Sequence, residues 1–278
     1  MLKNLKYQFL IFIVTGLGLS SCLQKQIDIK LPPFKSQLVV EGYLEKGKPF
    51  QVAVSQTSDF FSAPDLSKVF LAKATVILSY NNVVDTLVYN PIPDLQHLKW
   101  FNYNLKNKAT VPLTVGTNYY LKVIDSMGRV VTAQTTWMDS VKIDSVKETF
   151  NQITAATKDT VFRVYFKDPG ATQDYYRFVA INHTKNDSVR VDNYASDQLL
   201  NGQTISLSTG RHYQKGDTCD ITLYHIDNAY YTFLSTSESA DNANGNPFAS
   251  PAAIISNISG GTGIFTALPA SHWRVVFK

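Results

Sequence analysis

From Leu38 onward apolar and polar residues alternate with a period of two, and this constrains the fold of the 278-residue chain more than any other feature. Successive side chains of a strand point to opposite faces, so such a pattern buries one face and wets the other. Phe50, Val52 and Val54 alternate with Gln51, Ala53 and Ser55; Ala74, Val76, Leu78 and Tyr80 repeat the pattern, as do Tyr119, Leu121 and Val123. Further on, Phe162, Val164 and Phe166 face one way while Arg163, Tyr165 and Lys167 face the other. The runs are short and end in turn residues: Asn81-Asn82, Ser126-Met127-Gly128 and Asp168-Pro169-Gly170. YYRFVAI, DITLYHI and HWRVVF supply three more strands. Short strands joined by turns predict an all-β protein with two β-sandwich, immunoglobulin-like domains over residues 37–138 and 139–278. One short helix is expected in the second, from Asp227 to about Ala240, with Asp227 or Asn228 as N-cap and Tyr230, Tyr231 and Leu234 on a narrow apolar face.

Composition agrees with an exported β protein. Hydrophobic residues make up 44% and aromatics 12%, enough for a large core, while charged residues are only 17%. The net charge of +4 includes Lys3 and Lys6, which lie in a segment read below as cleaved. A nearly neutral surface leaves no basic stripe, which argues against a nucleic-acid partner. The two cysteines, Cys22 and Cys219, do not make the even set of several that a disulfide scaffold needs.

Residues 1–21 have the plan of a secretory signal: Lys3 and Lys6, then an apolar stretch from Phe9 to Leu19 too short to span a bilayer. The run Leu19-Ser20-Ser21-Cys22 resembles the lipobox of bacterial lipoproteins. Such a motif needs a thiol because sulfur takes the diacylglycerol, and small neighbours let the backbone enter the peptidase. Cys22 is therefore the expected lipidation site, and several acyl chains give stable attachment. Leu23, rather than Asp, follows the cysteine, which favours the outer membrane over the inner. Residues 22–36 then form a tether stiffened by Pro32-Pro33.

Ile27-Asp28-Ile29, Leu31-Pro32, Leu38-Val39-Val40-Glu41-Gly42 and Ala74-Thr75-Val76 come in an order that is matched late in the chain by Asn246-Pro247-Phe248 and Ser256-Asn257-Ile258, with Gly260, Gly261, Gly263 and Phe265. Over nearly all of the mature chain this resembles the Bacteroidota lipoproteins catalogued as domain of unknown function 4249 (DUF4249). Thr262 stands where that pattern would have a larger apolar residue. The resemblance implies an outer-membrane lipoprotein whose N-terminal region is similar to carboxypeptidase regulatory-like sandwiches. It also implies an accessory role beside a TonB-dependent outer-membrane transporter, and it brings no catalytic residues.

Catalytic motifs are missing from the sequence. There is no nucleophile elbow, zinc-protease helix, phosphate loop, calcium loop or dinucleotide fingerprint. The histidines, His97, His183, His212, His225 and His272, lack ligand spacing, so neither a metal nor another cofactor is expected. His212, Asp217, Cys219 and Asp220 come closest to a cluster, and a strand with Cys219 as a small buried residue accounts for them better. Gly260-Gly261-Thr262-Gly263 lacks the following Lys of a phosphate loop and reads as a turn with Ile264 and Phe265 packing inward.

Aromatics are the remaining resource. Trp100, Phe101 and Tyr103, in a loop-like stretch, and Phe248, in an Asn-rich loop, are the candidate partner or ligand contacts. Asp85-Thr86-Leu87, Asp125-Ser126-Met127 and similar triplets resemble an O-glycosylation acceptor motif of envelope proteins. The expected function is that of a lipid-anchored binding or accessory subunit without enzymatic activity. An envelope glycan hydrolase and a structural or adhesive module are the alternatives.

Overall fold

A computed structural model describes residues 33–59, 69–94, 99–154, 157–184, 189–210, 213–244 and 252–277. Cys22, the signal segment, His97, His212, Phe248 and most of the tether lie outside the described residues. Among the described residues the protein is mostly β, with one α-helix. Its strands are β1 (Leu38–Leu44), β2 (Gln51–Gln56), β3 (Ala74–Tyr80), β4 (Val83–Asp94), β5 (Lys99–Asn104), β6 (Asn118–Asp125), β7 (Val130–Thr136), β8 (Ile143–Thr154), β9 (Thr157–Lys167), β10 (Tyr175–Asn182), β11 (Val189–Ser196), β12 (Thr204–Ser208), β13 (Thr218–Ile226), β14 (Thr262–Ala267) and β15 (Ala270–Val276). The helix, α1, runs Asn228–Ala243.

The first lobe is an eight-stranded sheet in the order β14-β1-β2-β5-β4-β3-β6-β7. It folds over on itself, since Val40, Val52 and Val54 from one end share a core with Val76, Leu78, Leu121 and Val123 from the other. Strand β4 makes the corner: Val83–Leu87 pairs with β3, and Val88 onward pairs with β5, with a register shift between Tyr89 and Ile92. Asn81 and Asn82 close the β3–β4 hairpin at φ 42° and 65°, the backbone that a two-residue type I′ turn demands and that Asn tolerates. Between β6 and β7, Asp125 accepts from the amides of Met127 and Arg129 and from the Arg129 guanidinium at 2.6–2.9 Å.

The second lobe has a three-stranded sheet, β12-β9-β8, and a four-stranded one, β11-β10-β13-β15. Phe162, Val164 and Phe166 face Tyr176, Phe178, Ile221 and Leu223 in one core, as the alternation predicts. Its rings interlock, with Phe166 and Tyr176 centroids 4.6 Å apart and Tyr213 stacked on Phe277 at 4.8 Å.

A third apolar cluster joins the lobes: Tyr43 of β1, Phe101 of β5 and Ile264 of β14 meet Val179 of β10, Tyr224 and Ile226 of β13, and Tyr230 of α1. The helix starts where expected. Asp227 is its N-cap, accepting from the Tyr230 amide at 2.7 Å, and its other carboxylate oxygen accepts from Thr135 of β7 at 3.2 Å.

Two expectations are corrected. Residues 139–278 do not form a self-contained unit, because β14 crosses back and pairs in parallel with β1. Its glycines allow the approach: a Cβ on Gly261 would lie 2.6 Å from the Leu38 carbonyl oxygen, and one on Gly263, at φ +118°, would strike that of Val40. The glycine run is thus a strand edge fitted between β1 and β7, with Ile264 and Phe265 both packed inward. The stretch holding Trp100, Phe101 and Tyr103 is strand β5 rather than loop.

Candidate functional site

Strand β10 is buried on both faces from Tyr176 to Ala180 and β13 from Leu223 to Ile226, the mark of strands covered on both sides. One face lies in the second-lobe core and the other meets the first lobe. Where that cover ends, a groove of about 540 Å³ opens between the four-stranded sheet and Lys48 of the β1–β2 turn. Its floor is set by register, since Ile181 of β10 lies opposite Asp220 of β13, which lies opposite Arg274 of β15. Thr222 and His272 form the next rung. Trp273, partly exposed, lines the rim.

Charges in the groove are paired. Arg274 grips Asp220 through two bonds, Nε to Oδ1 at 2.5 Å and Nη2 to Oδ2 at 2.6 Å, and His183 Nε2 lies 2.9 Å from Oδ2. The Arg274 bonds hold the Asp220 carboxyl below the usual carboxylate range. Arg177 clamps Asp192 in the same way at 2.8 and 2.6 Å, while its remaining Nη1 donates to the Tyr230 hydroxyl at 2.6 Å. Burial pushes Asp192 upward, but the bonds from Arg177 outweigh it and leave the carboxyl low. Burial pushes Arg177 down, and Tyr230 and Asp192 more than reverse it, so the guanidinium stays charged. Arg190 adds a bond to Asp192 at 2.9 Å, and Lys48 pairs with Glu45 at 2.7 Å. The result is a mixed floor in which the paired charges Arg274–Asp220 and Arg177–Asp192 sit beside Val179, Ile181 and the Trp273 ring.

Group-transfer chemistry is poorly served. Thr222 Oγ1 meets His272 Nδ1 at 3.1 Å, but the carboxylate contact of the groove belongs to a different histidine, His183. A nucleophile, base and orienting acid need one shared imidazole, and Asp220, held ionised by Arg274, is a poor general acid.

The candidates read from sequence do not converge here. Trp100 is exposed at 57%. Phe101 is buried in the cluster joining the lobes, edge-on to Tyr43 at 6.1 Å. Tyr103 is buried in the first core, its hydroxyl accepting from the Ala74 amide at 2.8 Å and donating to the Leu71 carbonyl at 3.0 Å. Phe101 and Tyr103 are thus structural, and Trp100 alone of these three presents its ring to solvent. Cys219 is buried in the second core, and burial pushes its thiol up to about 12. Asp220 lies on the opposite face of β13, so Cys219 and Asp220 form no thiol or metal site. Sequence reading missed the groove because its residues, 177, 192, 220 and 274, sit on four strands. The available signal was Arg177 within the otherwise apolar YYRFVAI run, a charge that buried strands admit only with a partner.

No curated protein matches the chain. Solved structures that resemble it weakly include the following two. A cytokine receptor complex is 7% identical, with 87% of this chain and 96% of that chain covered at a TM-score of 0.25. A segment of two fibronectin type-III domains from chicken tenascin is 10% identical, with 69% and 91% covered at a TM-score of 0.20. Among the described residues, no helix is long and apolar enough to cross a membrane. The match to a family model is of another order, running from residue 24 to residue 272, nearly the whole chain, and on it the protein belongs to the family described as domain of unknown function DUF4249.

Proposed function

We propose that this protein is a lipid-anchored binding or accessory protein of the outer membrane, built from two immunoglobulin-like sandwiches, which partners a TonB-dependent transporter. The observation that carries the binding role is the groove of about 540 Å³ with its clamped arginines, Arg177 and Arg274. Donors fixed before a ligand arrives lose little entropy on binding, so such a surface suits recognition. Tethering rests on Cys22 and its lipobox, and Pro32-Pro33 in the leash would hold the folded part away from the lipid headgroups.

The test is extraction from the native envelope in mild detergent. A large β-barrel is expected to co-purify with the wild-type chain and to be lost with Arg274→Glu, which reverses the charge at the exposed rim of the groove. Recovery as a free lipoprotein under several mild conditions would refute the partnership. Labelled palmitate is expected to enter the wild type and not Cys22→Ser; equal labelling of both would remove the anchor.

A further inference from the structure

At the N-terminal end of β10, opposite the end that carries Ile181 and its rung, the β9–β10 and β11–β12 loops bring three aspartates together. Asp168, Asp174 and Asp197 are all buried, and each contributes a carboxylate oxygen within 4.8 Å of the other two. Two oxygens of one calcium ion lie at most about twice a 2.3–2.6 Å bond apart, so this spread suits a shared ion. Three of the six carboxylate oxygens have ordinary partners. Asp168 Oδ1 accepts from the Tyr176 hydroxyl at 2.5 Å, and Oδ2 from the amides of Gly170 and Gly202 at 3.1 and 2.6 Å. Asp174 Oδ1 accepts from Thr172 at 3.0 Å and faces His225 Nε2 at 3.0 Å.

The rest has none. Asp197 is 0% exposed, and neither of its carboxylate oxygens has a hydrogen-bond donor; Asp174 Oδ2 is equally orphaned. Buried carboxylates without donors are rare because desolvation then goes uncompensated. His225 closes one side of the cluster, its ring nitrogens lying 3.0 Å from Asp174 Oδ1 and 2.7 Å from the Asp139 carbonyl oxygen.

We infer that Asp168, Asp174 and Asp197 bind a calcium ion that the unpartnered oxygens of Asp197 and Asp174 are placed to ligate. An all-carboxylate donor set selects a hard cation over zinc or copper. Calcium accepts an irregular cage of protein oxygens, whereas magnesium keeps several waters, for which a buried cluster offers little room. The ion would bridge two loops that already touch, a Cβ on Gly170 falling 2.7 Å from the Gly202 Cα. It would therefore fasten the loop that displays Leu199, which is 90% exposed.

The full chain in mild detergent, stripped with EGTA, is to be dialysed against radiolabelled calcium. One ion per chain is expected, with sensitised terbium emission from the adjacent Tyr176 as a second reading. The melting temperature should rise by roughly 5–10 °C at a hundredfold excess over Kd, and less with magnesium. Asp197→Asn should lose binding while melting no lower than the wild type in EGTA, because it removes a buried like charge. If that variant does not fold, wild-type dialysis and terbium emission decide. Absence of bound calcium, with the same melting temperature in EGTA and calcium, overturns the assignment. So does a melting temperature that rises as pH falls from 7.5 to 5.5 without responding to calcium, since protons would then neutralise the cluster.

Discussion

Replacing Gly263 by alanine tests the return of β14 to the first sheet at its tightest point. The new methyl would strike the Val40 carbonyl oxygen, a backbone atom that cannot swing aside. The φ of +118° adds strain of about 1–3 kcal/mol for a residue with a side chain. Relief requires β14 to move off β1, which loosens the register from Val39↔Thr262 to Leu44↔Ala267 and partly uncovers Ile264 and Phe265, both 0% exposed. Full exposure of each would forfeit roughly 1.5–3 kcal/mol. Strain and partial exposure together come to about 4 kcal/mol, in the range reserved for severe lesions. The melting temperature should fall by roughly 8–16 °C, at about 2–4 °C per kcal/mol for a chain of this size. Gly42→Ala is the control on the facing strand. There the added Cβ meets Phe265 and Val52 side chains at 3.4 Å, snug contacts that side chains can ease, and the loss should stay within about 1 kcal/mol. Urea unfolding followed by circular dichroism gives both values. A Gly263→Ala protein within 1 kcal/mol of wild type, or one hurt less than Gly42→Ala, would refute the argument from backbone approach.

Tyr230→Phe should lose about 2 kcal/mol in the same assay, because it strips the buried Arg177 Nη1 of its 2.6 Å acceptor while leaving the ring in place; a loss under 0.5 kcal/mol would show that the hydroxyl is idle. At Asp227, burial raises the carboxyl above its usual value, with the Tyr230, Thr135 and Thr266 bonds opposing. The folded state thus holds its proton more tightly than the unfolded chain, and this group's contribution to stability grows as pH falls through the folded value toward the unfolded one near 3.9. Asp227→Asn keeps a good cap and removes the buried charge, so at pH 7.5 it should be at least as stable as wild type, with the advantage shrinking toward pH 4. An advantage that grows on acidification would contradict the direction assigned to this carboxyl. Asp227→Ala, measured alongside, should lose about 1 kcal/mol.

Strands with one wet face were readable from single residues. Phe162, Val164 and Phe166 alternate with Arg163, Tyr165 and Lys167 because β9 covers a core on one side only. The Asn81-Asn82 turn and the Asp227 cap were readable for a similar reason, since the physics acts within four residues. Long-range pairing was not. Gly260 to Gly263 carry little periodicity, and β14 reads as part of the second domain because its partner β1 lies more than 200 residues earlier. Local context also misread Tyr103, an aromatic beside Asn102 and Asn104 that looks exposed. Asn102 is buried and binds the Val54 backbone at 2.7 and 2.9 Å, so polar residues here serve the interior. Asp168 and Asp174 flank a Pro-Gly turn, where aspartate is ordinary. Only the fold reveals that both are buried against Asp197.

The chain path ties together the two lobes that flank the groove. The backbone builds seven strands of the first lobe, leaves it after β7, lays down six of the second, and returns through α1 and β14 to complete the first sheet before β15 completes the second. Each lobe therefore borrows its final strand from a segment that visits the other, and neither sheet is whole without it. The crossing is fastened three times: Asp227 caps α1 while accepting from Thr135 and Thr266 of the first lobe, Arg177 reaches from β10 to Tyr230, and Tyr230 packs edge-on against Tyr43 at 6.0 Å. Sandwiches joined by a linker alone would be expected to flex. Here, opening the groove at Lys48 would shear β14 from β1 and draw Tyr230 out of a buried cluster, and both motions disrupt cores rather than loops. Arg177 and Asp192 are thus clamped across neighbouring strands at a junction whose movement would uncover buried contacts, which supports the proposed binding role over that of a bare tether.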